Sequence, residues 1–317
     1  MLATKTLVFS LSLTLVSSRD IIFPTLPSYP TSEQAQQLFH GYGIDDDLFS
    51  AFDVPFKGLT TFANLPYVHC LNRNDDTIEK YDVAIMGAGF DTAVTARPGA
   101  RFGPQGVRQG SRRISPDFAY DISTNENIYR DWAKVVDCGD APLTYLDNTA
   151  ALKQLDFAHK LVAGRRANNS EYSTPRILVL GGDHTTTLSA LRSTIAHWGA
   201  VSVIHFDSHL DSWDPEVVGG GISHYAGVNH GTFLHIAHEE GLITNSSVHA
   251  GIRTPVFRPK DDVRNDVRCG FDIIKATDID RLGTQGIIDQ LKKRVGQSNV
   301  YISVDIDVLD PAYAPGE

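Results

Sequence analysis

Three features of the sequence predict an α/β fold with helices on both faces of a mostly parallel sheet. Short runs that are apolar at every position alternate with amphipathic stretches, the alternation holds from Tyr81 onward, and three of the runs lead straight into polar clusters. Strands buried on both faces lose the polar-apolar alternation of half-exposed strands. Helical patterns between them indicate crossovers joining parallel neighbours.

Taken in order, Lys5, the apolar stretch Leu7 to Val16 and the small pair Ser17-Ser18 before Arg19 read as a secretory signal over residues 1–18. Residues 19–75 are mixed, with a Pro-rich entry, an amphipathic stretch from Ser32 to Phe39 and an irregular segment through Leu65 and Pro66, and form an arm or cap. Residues 76–317 form one domain, since no repeat or linker divides them. Within it, strands are expected at Tyr81 to Met86, Ile177 to Leu180, Val201 to Phe206, Val248 to Ile252, Phe271 to Ile274 and Val300 to Val304. Helices are expected at Asn148 to Ala163, Thr186 to His197, Thr232 to Glu240 and Gln285 to Arg294. Gly87-Ala88-Gly89 follows the first strand, but Thr92 stands where a dinucleotide fingerprint needs its third glycine, so the pair is a tight turn. Arg97 to Pro104 holds too many breakers for regular structure and reads as a shaped rim loop.

Composition narrows the function. Apolar residues make up 42% of the 317 and charged residues 21%, with no internal apolar run near the ~18 residues that span a bilayer, which excludes disorder and a multispan membrane protein. Lys and Arg number 28 against 38 Asp and Glu, a net charge of −10 that opposes nucleic acid and anionic lipid and suits a cationic small molecule. Cys70, Cys138 and Cys269 are too few and too scattered for a disulfide framework or a zinc motif, and read as buried free thiols. The sequons Asn168-Asn169-Ser170 and Asn245-Ser246-Ser247 are compatible with export.

The three polar clusters are Gly181-Gly182-Asp183-His184, Asp207-Ser208-His209-Leu210-Asp211 and Asp305-Ile306-Asp307. They lie at strand carboxyl ends, where parallel α/β sheets bind ligands. Side chains two apart on extended backbone share a direction, so Asp207, His209 and Asp211 converge, as do Asp305 and Asp307. Two carboxylates ~4 Å apart repel by about 4 kcal/mol at an effective dielectric of ~20. Segments 177–191, 201–215 and 296–317 contain no Lys or Arg to compensate, so the charge balance calls for metal. Carboxylates with two imidazoles favour Mn²⁺ over Zn²⁺ and disfavour Ca²⁺. Any single Asp here reads better as a turn or cap residue; the clustering is what points to metal-assisted hydrolysis. By strand parity His205 is expected to face away from the Asp207 set and reads as a satisfied core histidine, and His224, His235, His238 and His249 carry no signal individually.

These segments resemble the ureohydrolase family of arginases and agmatinases. The matching motifs are Gly-Gly-Asp-His at 181–184, Phe206 to Asp211 and Ser303 to Gly316, with Arg97 to Pro104 and Phe233 to Arg253 nearest the agmatinase branch. The resemblance implies a three-layer α/β/α sandwich and two Mn²⁺ per chain. One ion would be held by His184, Asp207, Asp211 and Asp305, the other by Asp207, His209, Asp305 and Asp307. It implies His230 as the group passing a proton to the leaving amine, a small cationic guanidino substrate such as agmatine or guanidinobutyrate, urea and a primary amine as products, and assembly as a trimer or hexamer. With agmatine the amine is putrescine, a polyamine precursor.

The sequence departs from the family pattern at Ser208, whose side chain is expected to point away from the metals, and at Gly89, which is expected to loosen the loop before Phe90 and Asp91. It also stops at Glu317, where relatives continue with an acidic residue that grips the guanidinium. On that ground a manganese-binding homologue with little or no turnover stands beside the hydrolase reading. A one-zinc amide deacetylase is a third reading, against which His184 and Asp211 argue.

Overall fold

The computed structural model describes residues 58–73, 77–169, 171 and 173–315. The expected leader, the stretch Ser32 to Phe39 and the terminal Gly316-Glu317 lie outside the described residues. Strands β1 (Val83–Ala88), β4 (Val135–Asp140) and β5 (Arg176–Gly181) form one parallel sheet in the order β4-β1-β5. Strands β6 (Ser202–Phe206), β7 (Ser247–Ile252), β8 (Phe271–Lys275) and β9 (Val300–Val304) form a second in the order β8-β7-β6-β9, also parallel. A two-residue antiparallel pair, β2 (Tyr120–Asp121) with β3 (Glu126–Asn127), stands apart. The helices are α1 (Gly103–Gly110), α2 (Asn148–Ala163), α3 (Thr186–Trp198), α4 (Phe233–Glu239), α5 (Pro259–Arg268) and α6 (Asp278–Val295). Among the described residues no helix is long and apolar enough to cross a membrane.

On β1 and β6 alternate residues enter different cores, whereas on β9 the face of Val300, Ile302 and Val304 is exposed. On β1, Ala84, Met86 and Ala88 pack with Leu155, Ala158 and Val162 of α2, while Ile85 packs with Ala63, Leu65 and Ala133. On β6, Val203 packs with Leu188 and Leu191 of α3 and Phe233 and Leu234 of α4; Ile204 and Phe206 turn the other way, towards Leu291 and Val295 of α6.

Six expected strands and four expected helices are present within a few residues, except that α6 begins earlier than Gln285 and carries a kink at Gly283. Besides the short β2–β3 pair, three elements escaped the hydrophobic pattern. Strand β4 is interrupted in sequence by Asp137, whose buried charge is matched by Arg108. Helix α5 turns Asp262 and Asp266 inward, so its buried face is acidic. The second half of the Arg97 to Pro104 segment winds as a 3₁₀ turn, Ala100–Phe102, and opens α1 at Gly103. The loop after Gly89 is anchored, not loose: Asp91 is fully buried, and its Oδ2 accepts from Gly99 N at 2.7 Å while Oδ1 accepts from Arg101 Nε at 2.7 Å.

The cysteine expectation is corrected. Cys70 and Cys138 form a disulfide, and Cys269 alone is a buried free thiol. The segment from Pro66 to Cys70 runs beside β4, with Asp137 N donating to Pro66 O and Val68 N donating to Asp137 O at 2.9 Å each, which aligns the two sulfurs. Sequence spacing could not show this because the pairing is non-local.

Candidate metal centre

The three clusters meet because β6 pairs in parallel with β9, in a register that sets Phe206 beside Val304. The next residue on each strand is Asp207 and Asp305, so their carboxylates emerge at one level. His184 reaches the same point from the end of β5, after a turn in which Gly182 is obligatory. A Cβ there would lie 1.9 Å from Phe90 O.

Convergence is as expected, but not for the expected reason. Neither carboxylate cluster lies on extended chain. β6 ends at Phe206, and Asp211 sits in the left-handed region at φ 53°, an uncommon conformation for a residue with a side chain. Asp307 lies in a 3₁₀ turn, Ile306–Val308. Backbone hydrogen bonds hold these turns: Asp207 Oδ1 accepts from His209 N at 2.6 Å, Asp305 Oδ1 from Asp307 N at 3.0 Å, and Asp307 Oδ1 from Ser208 N at 2.9 Å. Arg253 spends its guanidinium on the carbonyls of Asp307, Val308 and Leu309, bracing the turn while leaving the carboxylates uncompensated.

His184 Nδ1 lies 3.1 Å from Asp207 Oδ2, 3.1 Å from Asp211 Oδ2 and 3.3 Å from Asp305 Oδ2. Its other nitrogen is 2.6 Å from Ser303 Oγ, which turns Nδ1 into the cluster. His209 Nδ1 is 2.8 Å from Asp307 Oδ2 and 3.5 Å from Asp207 Oδ1. Two groups of donor atoms lie within 4.8 Å of one another: His184, His205, Asp207 and Asp211 in one, and Asp207, His209 and Asp307 in the other. Asp207 belongs to both, as a bridging carboxylate would. Asp305 approaches His184 but completes neither group.

Two readings of side chains change. His205, expected to face away from the Asp207 cluster, turns towards it, with Nε2 3.1 Å from Asp207 Oδ2. Ser208 Oγ does not point clear of the site, since it lies 3.1 Å from His209 Nδ1.

The electrostatics describe a cage short of positive charge. Burial opposes protonation of His184, but the carboxylates of Asp207, Asp211 and Asp305 override it and hold the imidazole well above its ordinary range. Contacts with Asp207 and Asp307 raise His209 to about 10. Burial, reinforced by the charge of Asp207, pushes Asp211 up to about 8. Burial also opposes ionisation of Asp207, yet the surrounding imidazoles keep it below the usual carboxylate range. Protons are thus drawn onto groups that a bound cation would strip of them. The buried atoms His184 Nδ1, His205 Nε2 and Asp207 Oδ2 have no hydrogen-bond partner. Orphaned oxygen and imidazole donors facing one another fit a divalent metal ion.

His230 stands at the rim, half-buried, in a turn fixed by Asn229, whose side chain bonds Val218 O, Ala226 O and Gly231 N. Burial lowers its proton affinity, and the positive charges of His209 and His184 lower it further. A cleft of about 570 Å³ lined by Asn64, Tyr129 and Trp132 contains none of these side chains.

The arginase family model matches residues 81–317. A Schizosaccharomyces pombe protein named "Putative agmatinase 1" is 48% identical over 273 residues, covering 83% of this chain and 68% of its own length. The agmatinase of Escherichia coli O7:K1 is 35% identical over 240 residues, 74% of this chain and 68% of its own. Among solved structures, proclavaminate amidino hydrolase from Streptomyces clavuligerus matches with a TM-score of 0.68 at 31% identity, over 83% of this chain and 78% of that one.

Proposed function

The chain belongs to the arginase family of hydrolases, and from that premise we propose that it splits a linear guanidino compound, agmatine or a close analogue such as guanidinobutyrate, into urea and a primary amine. The observation that carries the reading is the buried cage in which His184 Nδ1 and Asp207 Oδ2 face each other without hydrogen-bond partners. His184, Asp207, His209, Asp211, Asp305 and Asp307 are the proposed holders of two Mn²⁺ ions, with Asp207 and Asp305 shared. When bound, the metal would lower the pKa of water far enough to supply a nucleophile near neutral pH.

The protein's own groups do the rest. The acidic cage attracts a guanidinium, and the net charge of −10 favours a cationic substrate over an anionic one. Water adds to the guanidinium carbon, the bond from that carbon to the alkyl-bearing nitrogen breaks, and the departing amine must take up a proton. His230 is the proposed donor: a half-buried imidazole beside the cage can take a proton from solvent and pass it to the departing nitrogen.

The test is urea release by Mn²⁺-loaded protein from agmatine, guanidinobutyrate and arginine. Urea from agmatine in excess of arginine supports the reading, and no urea from any of the three rejects it. We also propose passage through the secretory pathway. The Cys70–Cys138 disulfide and the exposed acceptors Asn168 and Asn245 support it. Loss of a gel-mobility shift on enzymatic deglycosylation would be the corresponding sign, and glycan-free, reduced protein from its native source would reject it.

A further inference from the structure

Asp82 and Lys134, the residues just before β1 and β4, line the cleft of about 570 Å³ that also contains Tyr129 and Trp132. It opens at the amino ends of these strands, away from the cage at the carboxyl ends. Its volume lies within the ~300–1,000 Å³ typical of small-molecule pockets.

The chemistry of its walls narrows what it can hold. The charged side chains of the lining are engaged with the protein itself. Asp82 Oδ1 accepts from Asn169 N at 2.6 Å and Oδ2 from Lys134 N at 2.8 Å. Arg130 pairs with Asp117, Lys134 with Glu79, and Asp131 Oδ2 accepts from Asn127 N at 2.6 Å. What stays open is an aromatic face: Trp132 is 58% exposed, while its Nε1 donates to Ile128 O at 2.9 Å and fixes the indole. A fixed, exposed ring among polar groups suits an uncharged polyhydroxyl ligand. The C–H face of a pyranose packs on the ring, and its hydroxyls reach the polar rim or water.

The sequence places an anchor for such a ligand at the same spot. Asn168 is exposed, lines the cleft and opens the sequon Asn168-Asn169-Ser170. One carboxylate ties it to the indole, since Asp82 holds the amide of Asn169, next to Asn168, and the amide of Lys134, two residues after Trp132. The acceptor and the ring therefore sit on two segments pinned to a single side chain. Asn245, in the second sequon, does not line the cleft, and its carbonyl is taken by Arg294.

We propose that Asn168 carries an N-linked glycan whose innermost N-acetylglucosamine rings lie in this cleft against Trp132. This rests on the secretory passage proposed above and not on urea release. The transfer joins Asn168 Nδ2 to C1 of the first sugar of a polyprenyl diphosphate-linked oligosaccharide. The bond from C1 to the diphosphate oxygen breaks, the diphosphate leaves with the electron pair, and the amide gives up one proton. The tether then presents the rings to the cleft at an effective concentration of roughly millimolar, so a contact too weak to capture free sugar suffices.

The full chain is secreted from a eukaryotic host as wild type, Trp132→Ala, Trp132→Phe, Asn168→Gln and the Asn168→Gln/Trp132→Ala double variant. Glycopeptide mass spectrometry is expected to find Asn168 occupied. An endoglycosidase that cuts between the innermost rings should release the Asn168 glycan about 3–10-fold more slowly from native wild type than from Trp132→Ala, with Trp132→Phe close to wild type. The glycan should raise the melting temperature by ~2–4 °C when Trp132 is present and by little when it is replaced, a difference in which any packing change at the ring cancels. A bare Asn168, or equal release from wild type and Trp132→Ala, overturns the inference. Protein from its native source with the Cys70–Cys138 bond formed but Asn168 bare overturns it and leaves secretory passage standing. Reduced, glycan-free protein from that source overturns both. Free N,N′-diacetylchitobiose titrated into Asn168→Gln should not saturate the cleft at about 1 mM. Trp132-dependent binding of the free disaccharide below that concentration overturns the inference in favour of a site for free carbohydrate.

Discussion

Asp137 and Asp207 are the same residue in nearly the same setting: each is fully buried on a parallel β/α scaffold, and each is followed by a second aspartate, three residues on at Asp140 and four on at Asp211. Their surroundings differ completely. Asp137 Oδ2 accepts from Arg108 Nε at 2.8 Å and Phe62 N at 2.7 Å, and Oδ1 from Arg108 Nη2 and Gly139 N at 2.9 Å each. Asp207 Oδ2 faces two imidazole nitrogens with no hydrogen bond to either. A buried carboxylate whose acceptor sites are filled by donors is finished by folding. One left facing other donor atoms is built for something that arrives later.

The difference is broken most directly at the cage. Asp207→Asn removes the shared oxygen, and loss of the several kcal/mol that a metal contributes should reduce urea release by ~10³-fold or more. With no metal bound, Asp207 is the carboxylate that holds protons on His184 and His209, so metal-free stability at neutral pH should fall in the variant too, and the rise in melting temperature on adding Mn²⁺ should be lost. A full Mn²⁺-induced rise in folded Asp207→Asn would show that this carboxylate holds no ion.

At Asp137 the effect falls on stability alone. Arg108→Ala strands a buried carboxylate, which costs about 3–5 kcal/mol in stability by urea or thermal melts. Mn²⁺ affinity should be unchanged in whatever fraction folds. Burial disfavours the charged Arg108, but its bonds to Asp137 and Asp140 outweigh that and raise its proton affinity, so the guanidinium stays charged.

The sequence made the metal half of this comparison legible and left much of the structural half dark, for a physical reason. Clustered Asp and His without Lys or Arg are visible as charge imbalance within short windows. Asp137 looked like a break in an apolar run because Arg108, 29 residues away, was needed to neutralise it. The same blindness hid α5, whose inner face is Asp262 and Asp266. Hydrophobic periodicity finds faces that bury carbon, and cannot find one that buries carboxylates.

The Cys70–Cys138 bond tightens the same structural half from the other side, tying the Val68 segment to β4 across 68 residues of chain. Replacing both cysteines with alanine should lower stability by about 2–4 kcal/mol, chiefly by freeing the unfolded chain. The six proposed ligands sit on other strands, so Mn²⁺ stoichiometry should survive. A doubly substituted protein that folds but no longer binds metal would show that the two regions are not independent.

His159 is the exception that tests how far the structural half is satisfied. It lies on α2 among Leu155, Ala158 and Val162, 1% exposed, with Nε2 unpartnered, and burial pushes its pKa down from 6.5 to about 4. Between those values the unfolded chain binds a proton that the folded chain refuses, so stability falls as pH drops through 6.5 and levels off below 4. At pH 5 the loss relative to neutral pH is about 2 kcal/mol. His159→Leu should abolish that component, so urea midpoints at pH 7.5 and pH 5 should differ less in the variant than in wild type. Any constant packing change cancels in the difference. An unchanged pH sensitivity would mean that His159 finds a partner when protonated, and that even the half built on matched charges keeps some give in its core.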